Sequence, residues 1–410
     1  MRFLKGFFLL FAILMISCQG HKTAQIWTDR PEFALYGEYF NTVQTQYKVS
    51  VKYMNSLTDE LRKSSAAPDI VAGSWLKNAS TGAYFKSLDN LFGAKRLSRS
   101  VFYPRLLAIG RIDRNQHLLP VSFNIPALIF SRDREHELSN SFIIDFDEVK
   151  KLSGNFNLES RGAYARMGFS PLWNDNFLLT VAVLHGASFR EAQPLAWDAV
   201  SLDKSMDFIF NWTHEINSSN QMEEEFTFKY FFEPPEKLVQ NGRILFSYKE
   251  SRELFTLNED SKNNIDFRWI TEQNRVAITE DLIFLGIPKK ARSQRAARAF
   301  ILWFFRADSQ RALLEFCKAN GINKNVFGIS GGFSSLSPVT EQIFPRFYPE
   351  LLGRMPPSEL LMPPAVLPSN WASIRERVIL PYLHERARKQ RGEEVYTLER
   401  RLADWERMNR

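Results

Sequence analysis

Ser330 lies in Gly328-Ile329-Ser330-Gly331-Gly332, which matches G-x-S-x-G, the pattern of a nucleophile elbow. That chemistry needs a buried strand before the serine, a helix after it, and an acid and a histidine further along the chain. Here Asn323-Lys324-Asn325 precedes and a second Gly/Ser run follows, so a flexible loop is the expected structure. His384 is the only histidine downstream, with Glu341, Glu350, Glu359 and Glu376 available before it. His21, His117, His136, His185, His214 and His384 are scattered, with no H-E-x-x-H or other paired metal spacing. No phosphate-cradling glycine loop occurs either. The expectation is a non-catalytic chain with no cofactor and no metal, and a serine hydrolase at Ser330 stands only as a distant alternative.

The second reactive side chain is a thiol. Arg2 and Lys5 precede an almost wholly apolar stretch, Gly6 to Ile16, and Ser17-Cys18-Gln19-Gly20 follows. A basic start, a short apolar run and a small residue before the cut describe a secretory leader. A cysteine directly after that small residue resembles the bacterial lipobox, although Met15 stands where Leu is usual. In that motif the thiol receives a diacylglyceryl group and becomes the first residue of the mature chain. An ordinary leader or an uncleaved anchor helix are the alternatives. The expectation is a leader over 1–17, lipidation at Cys18, a tether over 18–24, and export to the outer or periplasmic face of a bacterial membrane.

Composition fits a large soluble body. Hydrophobic residues are 44% and charged residues 24% of 410, close to ordinary globular domains. No second apolar run approaches the roughly 18 residues that span a bilayer. Lipidated Cys18 leaves Cys317 without a partner, which a chain with a large core tolerates. Net charge is +7, and losing Arg2 and Lys5 leaves a modest excess that the sequence shows no sign of clustering in the body. Residues 375–410 hold ten basic and seven acidic groups, mixed signs that read as a solvated helix face and not as a nucleic-acid surface.

The elements that position any site alternate between strand and helix. Ile26-Trp27-Thr28 ends a first strand; Asp29-Arg30-Pro31-Glu32 starts a helix, with Pro in the first turn and Glu at the positive end. Phe33, Tyr36, Phe40 and Val43 share one helical face. Tyr47, Val49, Val51 and Tyr53 alternate with polar residues as a half-buried strand, Leu57 to Lys63 reads as a helix, and Pro68 to Gly73 as a buried strand. This βαβ pattern predicts an α/β fold with a mainly parallel sheet. Leu118 to Phe130 holds two extended pieces broken by Pro120 and Pro126. Helices dominate 145–273 around a strand at 243–247, and 276–288 is extended. Ala297, Phe300, Ile301, Phe304 and Phe305 form the inner face of an amphipathic helix; Leu313, Phe316 and Cys317 share a face of the next. Residues 320–338 read as a loop, and 371–406 as one or two charged helices.

Together, "PDIVAGSW", "LPVSFNIPALIFSRD", "NGRILFSY" and "IPKKARSQRAARAFILWFFRADSQ" resemble, in order, segments of bacterial extracellular solute-binding proteins serving sugar ABC transporters. The resemblance spans nearly the whole mature chain. It implies a two-lobed periplasmic-binding-protein-like (type II) fold, with lobe 1 over 25–130 and 275–325 and lobe 2 over 131–274 and 326–410. Ligand would sit in the cleft between them, and binding would close the lobes by a hinge.

Position within that resemblance selects the ligand-binding candidates. Trp27, Asp29 and Arg30 sit where the first strand meets its helix, and Ser74 and Trp75 directly follow the second buried strand. Asn124 lies between two prolines in the crossing segment. Trp173, Asp175 and Asn176 form a dense cluster in the second lobe, where Asp175 or Asn176 could equally cap a helix; Tyr248, Glu250 and Ser251 follow the returning strand. Lys249 and Arg252 are read as solvated, and Trp197, Trp212, Trp269, Trp303 and Trp371 as core or surface. The implied role is a monomeric, lipid-anchored receptor that captures a small solute, with carbohydrate the expected class, and delivers it to ABC permease subunits. The alternative is a lipoprotein of the same fold acting as sensor or interaction partner, with its charged tail, 371–410, free to dock.

Overall fold

The computed structural model describes residues 22–64, 66–94, 96–389 and 393–409; the leader and Cys18 lie outside them. The chain opens with β1 (Thr23–Thr28), α1 (Glu32–Val43), β2 (Lys48–Tyr53) and β3 (Ile70–Ser74). The alternation read in the sequence is realised as parallel pairing, β2 and β3 flanking β1. Phe33, Tyr36 and Phe40 of α1 are buried. β4 (Leu118–Phe123) is buried along its whole length. It accommodates Pro120, which has no N–H for the ladder, where its pairing slips by one residue.

The chain then crosses at Asn124 and Ile125 into a second sheet. This contains β5 (Pro126–Ser131), β6 (Ile143–Asp145), β7 (Ser247–Glu250) and β8 (Ile265–Thr271) in the order β7-β5-β8-β6. Helices α2 (Phe146–Phe156), α3 (Asp175–Leu184), α4 (Ala199–Glu215) and α5 (Asn220–Lys229) belong to this half. The return passes through β9 (Val276–Ala277) to β10 (Ile283–Gly286), which inserts antiparallel between β3 and β4. Next come α6 (Gln294–Phe304), α7 (Ala307–Ala319), β11 (Phe333–Ser334) and β12 (Leu361–Met362), the last paired with β9. The first sheet runs β11-β4-β10-β3-β1-β2.

Two apolar clusters form the interior. Ile26, Val71, Leu119, Leu285, Phe300 and Phe304 belong to the first, and Leu128, Phe130, Ile144, Phe177, Trp212 and Trp371 to the second. Fully burying a side chain of this size contributes about 1.5–3 kcal/mol, and the larger cluster, which also takes in Ala127, Ile129, Phe267 and Trp269 of the second sheet, ties the two sheets together. The tail completes the second cluster: α8 (Trp371–Ile374), a π turn, α9 (Leu380–Arg388) and α10 (Leu398–Met408) bury Leu383, Leu398, Leu402 and Trp405 there.

Three details depart from the sequence reading. The returning strand is Ser247–Glu250, starting four residues later than read and directly after the apolar run, because Ile244 makes only an isolated bridge to Met167. β8 was hidden within a helical stretch by Asp266 and Arg268, which are buried and paired at 3.3 Å, with Glu135 3.0 Å from Arg268. Finally, residues 126–131 pair in the second sheet. Phe327, Phe333 and Phe344, in or beside the Gly/Ser-rich stretch, pack in the first core with rings 4.9 and 5.8 Å apart.

Candidate functional site

Parallel strands deliver their carboxyl ends, and the loops after them, to one side of a sheet, where polar groups gather. Asp29 follows β1 and accepts hydrogen bonds from the Ser74 amide (3.2 Å) and hydroxyl (2.7 Å) at the end of β3. Gly73 permits this approach: a Cβ there would stand 2.5 Å from Asp29 Oδ1. Arg30 lies 3.5 Å from Asp29 and 4.0 Å from Asp281 in the returning segment. Asp281 in turn pairs with Arg252 at 2.6 Å, and Arg252 binds Glu250 at the end of β7 through Nε (2.8 Å) and a terminal nitrogen (2.5 Å). Asn176, in the first turn of α3, donates to Glu250 at 3.4 Å and accepts from Arg375. Arg375 lies 2.6 Å from Glu280. The result is a continuous polar chain from the first sheet, through the crossing segment, to the second.

The crossings are fastened beneath it. Asn124 donates to the Gly331 carbonyl at 3.0 Å and accepts from the Ser251 hydroxyl at 2.7 Å, and its own carbonyl accepts the Thr279 amide at 2.9 Å. Ser251 also accepts the Ile125 amide at 3.2 Å.

Burial sets the electrostatics. Loss of hydration pushes Glu250 up to about 7, with Asp281 adding to the rise and Arg252 opposing it. Glu280 is likewise raised by burial against the pull of Arg375. For Asp281 burial also acts upward, but Arg252, Arg30 and the Thr279 hydroxyl outweigh it and hold the carboxyl below its ordinary range.

On the other side of β7 an open cavity of about 270 Å³ lies against the same strand. Trp173 stacks on Phe226 at 5.8 Å and 22°, and Tyr230 and Phe231 extend this wall. Lys249 and Glu253 supply polar groups at the other wall. The Glu253 carboxylate accepts the Glu250 amide at 3.1 Å, so cavity and polar chain share the turn after β7. Of the cavity wall, Trp173 Nε1 is buried without a hydrogen-bond partner, while Asp29 Oδ1 and Arg30 Nε, outside the cavity, face each other at 3.5 Å. Aromatic rings beside an unsatisfied indole donor and the polar side chains of Lys249 and Glu253 suit a ligand that is apolar on its faces and hydroxylated at its edges.

Asp29, Arg30, Ser74, Asn124, Asn176, Glu250 and Ser251 thus fall in one network, and Trp173 walls the cavity beside it. Trp75, with φ of 58°, packs against the second core. Tyr248 is buried between the cavity and the network, its hydroxyl 3.2 Å from Thr180. Trp27 lies instead in the first core, its indole bonded to Gln25 at 2.8 Å, and Asp175 is exposed at the start of α3. Sequence reasoning missed Glu280, Asp281, Arg375, Phe226, Tyr230 and Phe231. Arg252 and Lys249, read as solvated, are paired, Lys249 with Glu236 at 3.4 Å. Glu250 is two residues from Arg252, but Asp281 and Glu236 come from other segments, which the residue types alone do not reveal.

Ser330 sits in a tight turn with φ of 51°; its amide donates to Tyr36 at 2.8 Å and its hydroxyl is buried. The turn is packed against β4, where Ser122 donates to the Ser330 carbonyl at 3.3 Å, while His384 lies on α9 of the second unit.

By sequence the chain matches no family model and no curated protein. Solved structures match over almost its full length. One is an ABC substrate-binding protein from Listeria monocytogenes in complex with cycloalternan: TM-score 0.60, 15% identity, 94% of this chain and 97% of that one. Another is a cyclic α-maltosyl-1,6-maltose binding protein from Arthrobacter globiformis: TM-score 0.63, 13% identity, 94% and 97%. The chain has the fold of an ABC substrate-binding protein. A further match, CpMnBP1 with mannotriose bound, covers 93% of this chain and 98% of its own, with TM-score 0.61 and 13% identity. The β2-β1-β3-β10-β4 order, with one antiparallel strand inserted by the returning chain, is the α/β arrangement expected from the sequence.

Proposed function

We propose that this chain is a solute-binding receptor that captures a carbohydrate in the aromatic cavity of its second α/β unit, beside the junction with the first, and delivers it to an ABC permease. The observation that carries the reading is the aromatic cavity beside β7, joined through Glu250 and Glu253 to the polar chain at the carboxyl ends of β1 and β3. Trp173 and Phe226 offer ring faces to a sugar's C–H surface; Asn174, Lys249 and Glu253 offer hydrogen bonds to its hydroxyls. The two units act as lobes, hinging about Asn124–Ile125 and Thr279–Asp281, so that ligand draws Asp29 and Arg30 toward Glu250 and Arg252. The solved neighbours named above that carry sugars support the ligand class. Capture rather than hydrolysis is supported by the buried Ser330 hydroxyl. Acylated Cys18 would hold the receptor, as a monomer, beside its permease. The tail gives no support to the docking alternative, because α10 spends its apolar stripe on the second core.

A thermal-shift screen of the full chain tests this. A ligand that binds only the folded state raises the melting temperature. Some saccharide should do so, and a response confined to amino acids or peptides would refute the carbohydrate reading.

A further inference from the structure

The first sheet carries a second feature, at the end opposite Asp29 and Ser74. Parallel pairing places the start of β1 beside the start of β2, Thr23 against Lys48, and the start of β3 on the other side of β1, Ile70 against Ile26. β10 is antiparallel, so its last residue, Gly286, stands against Val71 at that same end. The loop leaving it, Pro288 to Ser293, is pinned there: Asp69 at the start of β3 accepts the Arg292 amide at 2.8 Å, the Ser293 amide at 2.6 Å and the Gln25 amide at 3.0 Å. Lys86 joins through its amide, which donates to the Ile287 carbonyl at 3.0 Å.

These segments are rich in one sign of charge. Residues 288–298 hold Lys289, Lys290, Arg292, Arg295 and Arg298 with no acid; Lys22, Lys48 and Lys86 come from neighbouring strand ends and a turn, and Lys63 from the last turn of the helix Leu57–Lys63 that leads to β3. Seven of these nine are exposed, with Lys86 and Arg298 half-buried. Among the described residues none makes an ion pair. Asp69 is buried and taken up by backbone amides. Partial burial and the like charge of Arg298 lower the affinity of Lys86 for its proton. The N-terminus of α6 opens at the same end and adds its dipole. The excess charge that looks dispersed along the sequence is therefore gathered by the topology.

We propose that this basic end is a membrane-facing surface that rests on a bilayer carrying anionic lipid headgroups. The occupant follows from where the chain enters. Cys18 is four residues before Lys22, and four extended residues span at most about 14 Å. A lipid or apolar anchor at the N-terminus therefore holds this end, and no other, close to the headgroups, where cations are attracted over roughly a Debye length of 10 Å. Six residues of β1 at about 3.3 Å each then lift Asp29 and the binding junction some 20 Å away. The proposal rests on the membrane anchor and is independent of the carbohydrate reading.

The test uses the full chain, floated with vesicles of phosphatidylcholine alone or with three parts in ten phosphatidylglycerol. Surface lysines are labelled with an amine reagent and read by mass spectrometry. Lys22, Lys48, Lys289 and Lys290 should label at least threefold less on the anionic vesicles, with recovery in 0.5 M salt. Exposed Lys151 and Lys204, on α2 and α4, should be unchanged. In a K289E/K290E/R292E variant, Lys22 and Lys48 should regain full labelling. Equal labelling on both vesicles, an equal fall at Lys151 and Lys204, or the same protection from inorganic phosphate on neutral vesicles would each overturn the proposal. A chain that floats with neither vesicle refutes the anchor and this face with it.

Discussion

Glu250→Gln isolates the electrostatics of the junction. The Glu250 side chain is 8% exposed, lies 2.5 Å from Arg252, and is pushed from an ordinary value of 4.5 to about 7 by burial and by Asp281. The folded state therefore holds its proton more tightly than the unfolded chain does. The sign follows: the contribution to stability is fully present below about pH 4.5, falls as pH rises toward 7, and is constant above. A separation of this size corresponds to about 3 kcal/mol. Glutamine keeps the shape of the protonated acid and does not titrate. Urea unfolding at pH 4.5 and pH 8 should thus show wild type losing about 3 kcal/mol more than E250Q across that interval. Other groups cancel in the comparison, notably Glu223, also pushed to about 7 by burial, and His185 and His384, lowered by burial, whose contributions have the opposite slope. Parallel curves for the two proteins would refute the argument that burial, opposed by Arg252, governs this carboxyl.

Other substitutions probe the remaining parts. Gly73→Ala places a Cβ 2.5 Å from both Asp29 Oδ1 and Leu57 Cδ2; displacing Asp29 from Ser74 should cost about 1–3 kcal/mol in denaturant melts and weaken ligand binding, and an unchanged melt would contradict the contact. Arg252→Ala removes the bridge between Glu250 and Asp281. Because Arg252 is about one-third exposed, the cost is near 1 kcal/mol, and an equal loss at pH 5 and pH 8 would argue against charge pairing as its cause. Ser330→Gly relieves a left-handed backbone at φ of 51° and should be neutral or stabilising by up to about 1 kcal/mol, with no hydrolytic activity to lose.

Much of the fold was legible because local patterns agreed with it. Phe33, Tyr36 and Phe40 of α1, Val49 of β2 and the amphipathic face of α6 are buried as their periods dictate, whereas Val43 and Tyr53, read on the same apolar faces, are exposed. Trp212, Trp269 and Trp371, read only as core or surface, lie in the interior. β8 was not legible, because Asp266 and Arg268 look solvated until Glu135 and Arg354 are brought to them from far along the chain. The site divides in the same way. Asp29, Ser74, Asn124 and Ser251 follow from their places at strand ends and crossings. Asp281, Arg375 and the Phe226–Phe231 wall depend on contacts with other segments of the chain, which spacing alone does not encode.

Isothermal titration of the full chain, and of Trp173→Ala, with the saccharide giving the largest thermal shift tests the central claim most directly. Removing Trp173 deletes the ring stacked on Phe226, and losing a buried aromatic platform costs about 1–3 kcal/mol of binding. The account predicts one saccharide bound per chain by the wild type and affinity at least tenfold weaker in the variant, with the fold retained. Undiminished affinity in the variant, or no heat from any saccharide with the wild type, would contradict it.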